Sequence, residues 1–460
     1  MMDFKQIKTA YFIGIGGIGM SAIARYMLSE GIAVYGYDKT RNDFTIQLES
    51  EGFHIHYNDH IDHIPEAVKT GQDAIVIYTP AIPKDNKIFK WLNQHQIRLY
   101  KRAEVLGIIS KNTYTIAVAG THGKTTTSSM VAHLLNTCNV NFTAFLGGIS
   151  SNFNSNYIQK RNGKSLFAKD IMVVEADEFD RSFLHLHPDI AIVTSTDADH
   201  LDIYGEAIEV KKSFQMFVDQ VDPNGYSIIN DTLDLHANSK KILYGSSLIA
   251  DAKLQKVQVK DHQFHFDYSF DSAVVHVVNA LPGFHNVENA TAAITACLCL
   301  HLPLVELIKA CASFKGVKRR FEYVVNLPNK VVIDDYAHHP TELKACINSV
   351  RELYPNHKIT GIFQPHLFSR TRDFVDDFAA SLDLLDECWL LDIYPARELP
   401  IVGVNSEYLA LKMQKNPLLM VKDNVLKHLQ QEQPELLLIL GAGDIDQLVK
   451  PIKDIYEKVH

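Results

Sequence analysis

Apolar positions along this chain alternate between short buried runs and stretches of helical spacing. Thr9-Ala-Tyr-Phe-Ile13 is such a run; helical spacing follows over 22–30, and further runs occupy Ala33–Tyr37 and Ala74–Tyr78. Runs of about four to eight residues, rich in β-branched and aromatic side chains, predict strands buried on both faces of a parallel sheet. The pattern restarts with a strand at Tyr114–Val118 and a helix over 128–135, then strands over 170–174 and 190–195. Strict alternation over 253–259, 263–268 and 273–278 predicts an antiparallel patch with one wet face, followed after Pro282-Gly283 by a helix over 284–297. A last series of strands lies at 331–335, 358–363, 388–393 and 436–440, with Pro340 near the start of an intervening helix. The fold class is α/β. A length of 460 residues suggests about three domains, and the pattern divides at 1–109, 110–321 and 322–460.

Composition narrows the function classes. Apolar residues make up 46% and charged residues 22%, as in a soluble globular protein. Lys and Arg number 45 against 54 Asp and Glu, a net charge of −9, which argues against nucleic acid as a partner. A local cationic pocket for a small phosphorylated substrate stays open. The Cys at 138, 297, 299, 311, 346 and 388 form no C-x-x-C pair, so neither a zinc site nor a redox motif is expected. No charged-then-apolar leader and no apolar run of about 18 residues occurs, so a cytoplasmic location without a membrane partner is expected.

Two glycine-rich turns carry the candidate chemistry. Gly14, Gly16 and Gly19 form G-x-G-x-x-G between the first strand and its helix, and Asp38 ends the second strand. This fits a dinucleotide or another pyrophosphate, and the glycines do not choose between them. Thr79-Pro80 lies at the carboxyl end of the third strand, where ligands of open α/β sheets sit. The second turn is Val118-Ala-Gly-Thr-His-Gly-Lys-Thr-Thr-Thr127. Its amides and helix N-terminus suit a phosphate, Lys124 adds charge, and the Thr125 hydroxyl suits Mg²⁺. It departs from G-x-x-x-x-G-K-[ST], because Val118 holds the first glycine's place and a glycine stands at 120. Glu175-Ala-Asp and Asp199-His200 end the next strands with groups that suit a metal held against phosphates. Asn286 and Asn289 share one face of a helix's first turn, where alone they would serve as caps.

The order Gly14–Ser21, Gly120–Thr127, Glu175-Ala-Asp, Asp199-His200, His285-Asn-x-x-Asn-Ala290, Arg319-Arg-Phe-Glu322 and Asp335-Tyr-Ala-His-His-Pro-Thr-Glu342 resembles the Mur ligases over essentially the whole chain. These are ATP-dependent amide-forming enzymes of peptidoglycan synthesis. The opening Gly14–Ser21 and Gln364-Pro-His…Ser369-Arg-Thr-Arg-Asp373 are similar to the branch that joins L-alanine to UDP-N-acetylmuramate. The resemblance implies a Rossmann-like domain for the UDP sugar, a central P-loop ATPase-type domain and a C-terminal Rossmann-like domain. It implies monomers or weak homodimers.

It also assigns roles residue by residue. Gly14, Gly16, Gly17, Gly19, Met20, Ser21, Asp38 and Thr79 would meet the UDP part of the substrate. Gly120, Thr121, His122, Gly123, Lys124, Thr125 and Thr126 would hold ATP, with His122 also near the muramoyl group. Thr125 and Glu175 would hold a first Mg²⁺ and His200 a second. Asn286 and Asn289 match an adenine-binding pair, while Arg320 and Asp335 match residues that reach the nucleotide. His338, His366 and Arg370 would surround the amino acid. Lys124, Glu175, His200, Arg320 and His338 are thus the expected catalytic set. Leu367 departs from the pattern, since many enzymes of this specificity carry Arg there; Arg372 stands in reserve. Three rivals are a recycling ligase that adds an intact tripeptide, an NAD-dependent dehydrogenase and a non-catalytic nucleotide-gated regulator on the same scaffold. The second leaves Lys124, Glu175 and the Asn pair unexplained, and the complete set of matched Lys, Glu and His positions argues against the third.

Overall fold

The computed structural model describes residues 4–83, 85–197, 207–396 and 398–458. By its contacts the chain divides into two compact units: 1–253 with 268–274 and 289–311, and 254–267 with 275–288 and 312–460.

The first unit opens on a parallel sheet of β1 (Thr9–Ile13), β2 (Ala33–Tyr37), β3 (His54–His56), β4 (Ala74–Tyr78) and β5 (Leu99–Lys101), in the order β3-β2-β1-β4-β5. The chain reverses its direction of growth between β1 and β4, and a crevice forms at the carboxyl ends of these two strands. Both the Gly14 turn and the Thr79 loop leave from that point.

The central sheet begins with β6 (Tyr114–Ala119), β7 (Phe142–Ser150), β8 (Ser155–Lys160), β9 (Ile171–Glu175), β10 (Ile190–Val193), β11 (Tyr226–Asn230) and β12 (Lys240–Gly245). Their order is β12-β11-β10-β6-β9-β7-β8, parallel except for the β7–β8 hairpin. β13 (Ala252–Lys260) pairs in parallel with β12. β14 (Gln263–Phe270) and β15 (Ala273–Asn279) follow through two-residue turns, Asp261-His262 and Asp271-Ser272, all four residues at positive φ. Such turns fold strands back on themselves. The antiparallel patch is therefore present, and parallel strands β11 and β12, which the sequence did not announce, come before it.

The helix Ile18–Ser29 packs on the β7–β8 hairpin. Arg25 is buried, holds Glu51 with both Nε and Nη2 (2.7 and 2.8 Å) and bonds Asn156 of β8. The Tyr26 ring meets Phe145 edge-on at 5.6 Å. One apolar core runs from Phe12 and Ile23 to Phe145, Val174 and Phe214. This packing takes in two residues of the glycine motif. Met20 is 2% exposed within that core, and Ser21 is fully buried, accepting from Asn156 Nδ2 at 3.0 Å and donating to the Ile18 carbonyl at 2.9 Å. Both side chains serve to dock the helix.

The second unit holds β16 (Glu322–Leu327), β17 (Lys330–Asp335), β18 (Ile359–Phe363), β19 (Glu387–Leu390), β20 (Leu418–Leu419) and β21 (Leu436–Leu440), ordered β16-β17-β21-β18-β19-β20. Only β16 is antiparallel to its neighbour. Val332, Ile362, Trp389, Leu437 and Ile439 fill one face of its core. Asp335 and Phe363 both pair with Leu440, so the loops after β17, β18 and β21 leave the sheet side by side. Among the described residues, no helix is long and apolar enough to cross a membrane.

Candidate active site

The phosphate loop leaves β6 between two neighbours. Val118 pairs with Glu175 of β9, and Ala119 pairs with Val193 of β10. Val118 is a fully buried strand residue, which explains why no glycine stands there. The turn needs glycine two residues later. Gly120 sits at φ +142°, and a Cβ there would lie 2.0 Å from Thr194 Oγ1; Gly123 sits at φ +80°, its Cβ position 2.6 Å from Asn289 Oδ1. The strand end of β10 then locks the loop. Ser195 Oγ accepts from His122 N at 2.9 Å, Thr121 Oγ1 accepts from Asp197 N at 3.0 Å, and Thr194 Oγ1 donates to Ala119 O at 3.2 Å. Gly120→Ala is expected to cost about 1–3 kcal/mol of stability and to weaken binding of an ATP analogue at least about tenfold, checked by thermal melting and titration.

Lys124 opens the helix Lys124–Thr137 and folds back over its own loop. Its Nζ donates to Gly120 O at 2.6 Å and to Glu178 at 2.9 Å. Burial alone would lower its pKa, but Glu178, Glu175 and Asp177 outweigh burial and hold it above the ordinary lysine value. The ammonium is therefore charged, and it lies across the loop between Gly120 O and Glu178. Glu175, at the adjacent strand end, accepts from Gly147 N at 3.0 Å; a side chain at 147 would overlap that carboxylate. Thr125 and Thr126 occupy the helix's first turn, both buried. Asn289 Oδ1 accepts from Thr127 Oγ1 at 3.1 Å, so this amide, expected to meet adenine, braces the first turn of the helix after the loop. His122 lies 3.3 Å from Asp197.

At the first sheet, Gly14 approaches Thr79 closely, its Cβ position 3.0 Å from Thr79 Cγ2. Gly17 is the N-cap of the helix Ile18–Ser29. A cavity of about 630 Å³ opens beside Thr79, lined by Tyr78, Ile82, Phe89, Asn93 and Lys101. Asp38 does not point its carboxylate at empty space. One oxygen accepts from Gly16 N at 2.8 Å and the other from Thr40 N at 3.1 Å, so it shapes the glycine turn.

In the second unit, Arg320, Asp335, His338, His366 and Arg370 gather at the carboxyl end of the sheet. Asp335 is partly buried and accepts from Phe321 N (2.7 Å) and Ala337 N (2.8 Å), which fixes the turn that presents Arg320. Burial, opposed by Arg320, pushes its carboxyl up to about 6. The guanidinium groups of Arg319 and Arg320 both lie over the Tyr336 ring, 5.1 and 5.0 Å from its centroid. His338 Nδ1 is 2.9 Å from Tyr336 O, an acceptor, so Nδ1 carries the proton and Nε2 the lone pair. Its ring meets His366 edge-on at 6.0 Å, and His366 stacks on Tyr394. Arg370 is 9% exposed on the helix Phe368–Asp373; Leu367, at φ +71°, caps that helix. Arg372 pairs with Asp373 at 2.7 Å. Asn286, in this unit, donates to Pro282 O at 2.6 Å.

Burial pushes both imidazoles down to about 4; Arg370 adds to this at each, and Glu342 opposes it at His338. Both are therefore neutral above that value. NMR titration should find midpoints near 4 for His338 and His366 instead of the ordinary 6.5, with no change of charge between about pH 5 and 8.

Two residues of this site escaped the sequence reading. Glu178 holds Lys124, and Arg102 donates to Asp177 at 2.7 Å from the helix after β5. Glu178 stands in the acidic turn already singled out, whereas nothing in the pattern marks Arg102. His200 lies outside the described residues. The Glu175 carboxylate at the end of β9 and the Thr125 hydroxyl on the first turn of the helix Lys124–Thr137, beside a largely buried ammonium, form a donor set that fits Mg²⁺ and nucleotide phosphates.

Fold and site define a three-domain α/β enzyme of the phosphate-loop class. Comparison with known proteins narrows this. The chain matches the Mur ligase family catalytic domain over residues 9–114, the Mur ligase middle domain over 118–297 and the Mur ligase glutamate ligase domain over 319–443. The chain belongs to the Mur ligase family. It is 47% identical to UDP-N-acetylmuramate–L-alanine ligase of Flavobacterium psychrophilum, over 98% of this chain and 99% of that one. It is 45% identical to the protein of that name from Christiangramia forsetii, over 98% of each. The crystal structure of UDP-N-acetylmuramate-alanine ligase from Thermotoga maritima superposes with a TM-score of 0.83 at 28% identity, covering 98% of this chain and all of that one.

Proposed function

We propose that the chain joins L-alanine to the lactyl carboxylate of UDP-N-acetylmuramate at the expense of ATP, through an acyl phosphate. A carboxylate is a poor electrophile because oxide would have to leave; phosphorylation supplies a competent leaving group. The first step brings two anions together, so the residues it needs are cations. The observation that carries the reading is Lys124, a charged and largely buried ammonium held at the mouth of a locked phosphate loop, beside Glu175.

In this reading residues 1–109 carry the UDP sugar, 110–321 ATP and 322–460 the amino acid. Lys124 holds the transferring phosphate against the carboxylate. Thr125 and Glu175 would hold Mg²⁺, which when bound supplies further charge neutralisation to the phosphate oxygens. Gly16, Gly17 and the helix behind them take the substrate diphosphate, and Asp38 keeps the turn in shape. Arg320 reaches the nucleotide from the turn fixed by Asp335. Arg370 meets the amino-acid carboxylate, and the neutral imidazoles of His338 and His366 face the amine without repelling it. Amine attack gives a tetrahedral centre, and phosphate leaves.

An amino-acid panel tests the specificity. Phosphate release from ATP and UDP-N-acetylmuramate is expected with L-alanine and not with an intact tripeptide. The opposite result would assign the chain to the recycling branch.

A further inference from the structure

We propose that Arg102 is the cationic half of the substrate's diphosphate site and the link that positions it against the strand end bearing Glu175. The proposal rests on the UDP-sugar reading above and adds a residue to it.

The third glycine of G-x-G-x-x-G ordinarily lets a helix pack closely on a strand. Gly19 does something else. A Cβ built there would lie 2.1 Å from Arg102 Nη1 and 3.1 Å from its Cδ and Cζ. The guanidinium thus rests directly on the first turn of the helix Ile18–Ser29, at the end where unpaired amides gather. The side chain is 22% exposed. Among the described residues it makes one hydrogen bond, from Nη2 to Asp177 Oδ2 at 2.7 Å. A guanidinium offers five N–H groups in a fixed fork matched to phosphate oxygens, and the bond to Asp177 uses Nη2, which leaves Nη1, the nitrogen against Gly19, for an anion.

Asp177 follows Glu175 by two residues at the end of β9, and its other oxygen accepts from Phe179 N at 3.1 Å. One arginine therefore touches the glycine turn of the first sheet and a carboxylate anchored beside the phosphate loop of the second. Lys101 makes a parallel contact with Asp180 at 3.0 Å. A diphosphate held by Arg102 is held at a fixed distance from Glu175 and Lys124, which sets where the far end of the substrate lands. A plain ion pair between two sheets would not discriminate between ligands with and without a diphosphate. The proposed role does.

Titration with UDP, uridine and UDP-N-acetylmuramate tests this. Arg102→Gln should weaken UDP and UDP-N-acetylmuramate about tenfold or more while uridine binding and the KM for ATP stay within about twofold. Arg102→Lys should recover part of the loss. Gly19→Ala, which asks the Arg102 side chain and no backbone atom to move, should weaken UDP in the same way, and it keeps the test open if Arg102→Gln folds poorly. Asp177→Asn should lower kcat more than it raises the KM for UDP-N-acetylmuramate. Wild-type UDP affinity in both Arg102→Gln and Gly19→Ala would overturn the proposal and leave the UDP-sugar reading intact. A wild-type protein that binds neither UDP nor UDP-N-acetylmuramate would overturn both, before any variant is made.

Discussion

Lys124→Ala is expected to lower kcat by about a thousandfold or more and to cost the fold about 3–5 kcal/mol at neutral pH. The two losses have separate causes. Activity falls because the cation that brings ATP and a carboxylate together is gone. Stability falls because Glu178, 3% exposed, loses the cation that offsets the burial of its charge. The double variant Lys124→Ala with Glu178→Gln should regain most of the stability and none of the activity, as read by denaturant melts and phosphate release. The pH dependence has a definite sign. Burial raises the Glu178 carboxyl above its ordinary value even with Lys124 present. A raised carboxyl favours the folded state below its unfolded pKa, and that advantage is lost as pH rises through the folded value. The stability gap between Lys124→Ala and wild type should therefore narrow as pH falls.

The second large effect is expected at Arg370. Arg370→Ala should raise the KM for L-alanine about 10- to 100-fold, with the KM for ATP and for UDP-N-acetylmuramate within about twofold. Arg370 is the buried cation beside His338 and His366, and Leu367 supplies no second anchor. Since Arg370 helps to hold both imidazoles down, its removal should also move both titration midpoints up from about 4. A change in KM without any movement of the imidazoles would mean that Arg370 binds substrate from farther away.

Much of this was legible in the sequence because glycine and β-branched runs punctuate it sharply. β6, the phosphate loop and the helix Lys124–Thr137 fall where Tyr114–Val118 and Gly-Lys-Thr put them. The misplaced first glycine was legible as an oddity, and its reason was not: Val118 belongs inside the sheet, which only pairing with β9 and β10 reveals. β7 and β8 were missed for a different reason. Phe142–Ser150 contains two consecutive glycines and Ser155–Lys160 is mostly polar, so neither alternates, and both become strands through their neighbours.

The same limit governs the site. Met20 and Ser21 matched a motif, yet the hairpin β7–β8 covers them. Asp38 and Asp335 matched ligand positions, and the structure adds that their oxygens are met by backbone amides, so each also shapes a turn. Arg102 and Glu178 act through partners 75 and 54 residues away, a distance that no local pattern spans.

The central claim is that the lactyl carboxylate is phosphorylated before the amine attacks. UDP-N-acetylmuramate labelled with ¹⁸O in that carboxylate, turned over with ATP and L-alanine, tests it directly. One labelled oxygen is expected in each inorganic phosphate released, with ADP as the nucleotide product. Unlabelled phosphate, or label recovered in AMP, would contradict the account.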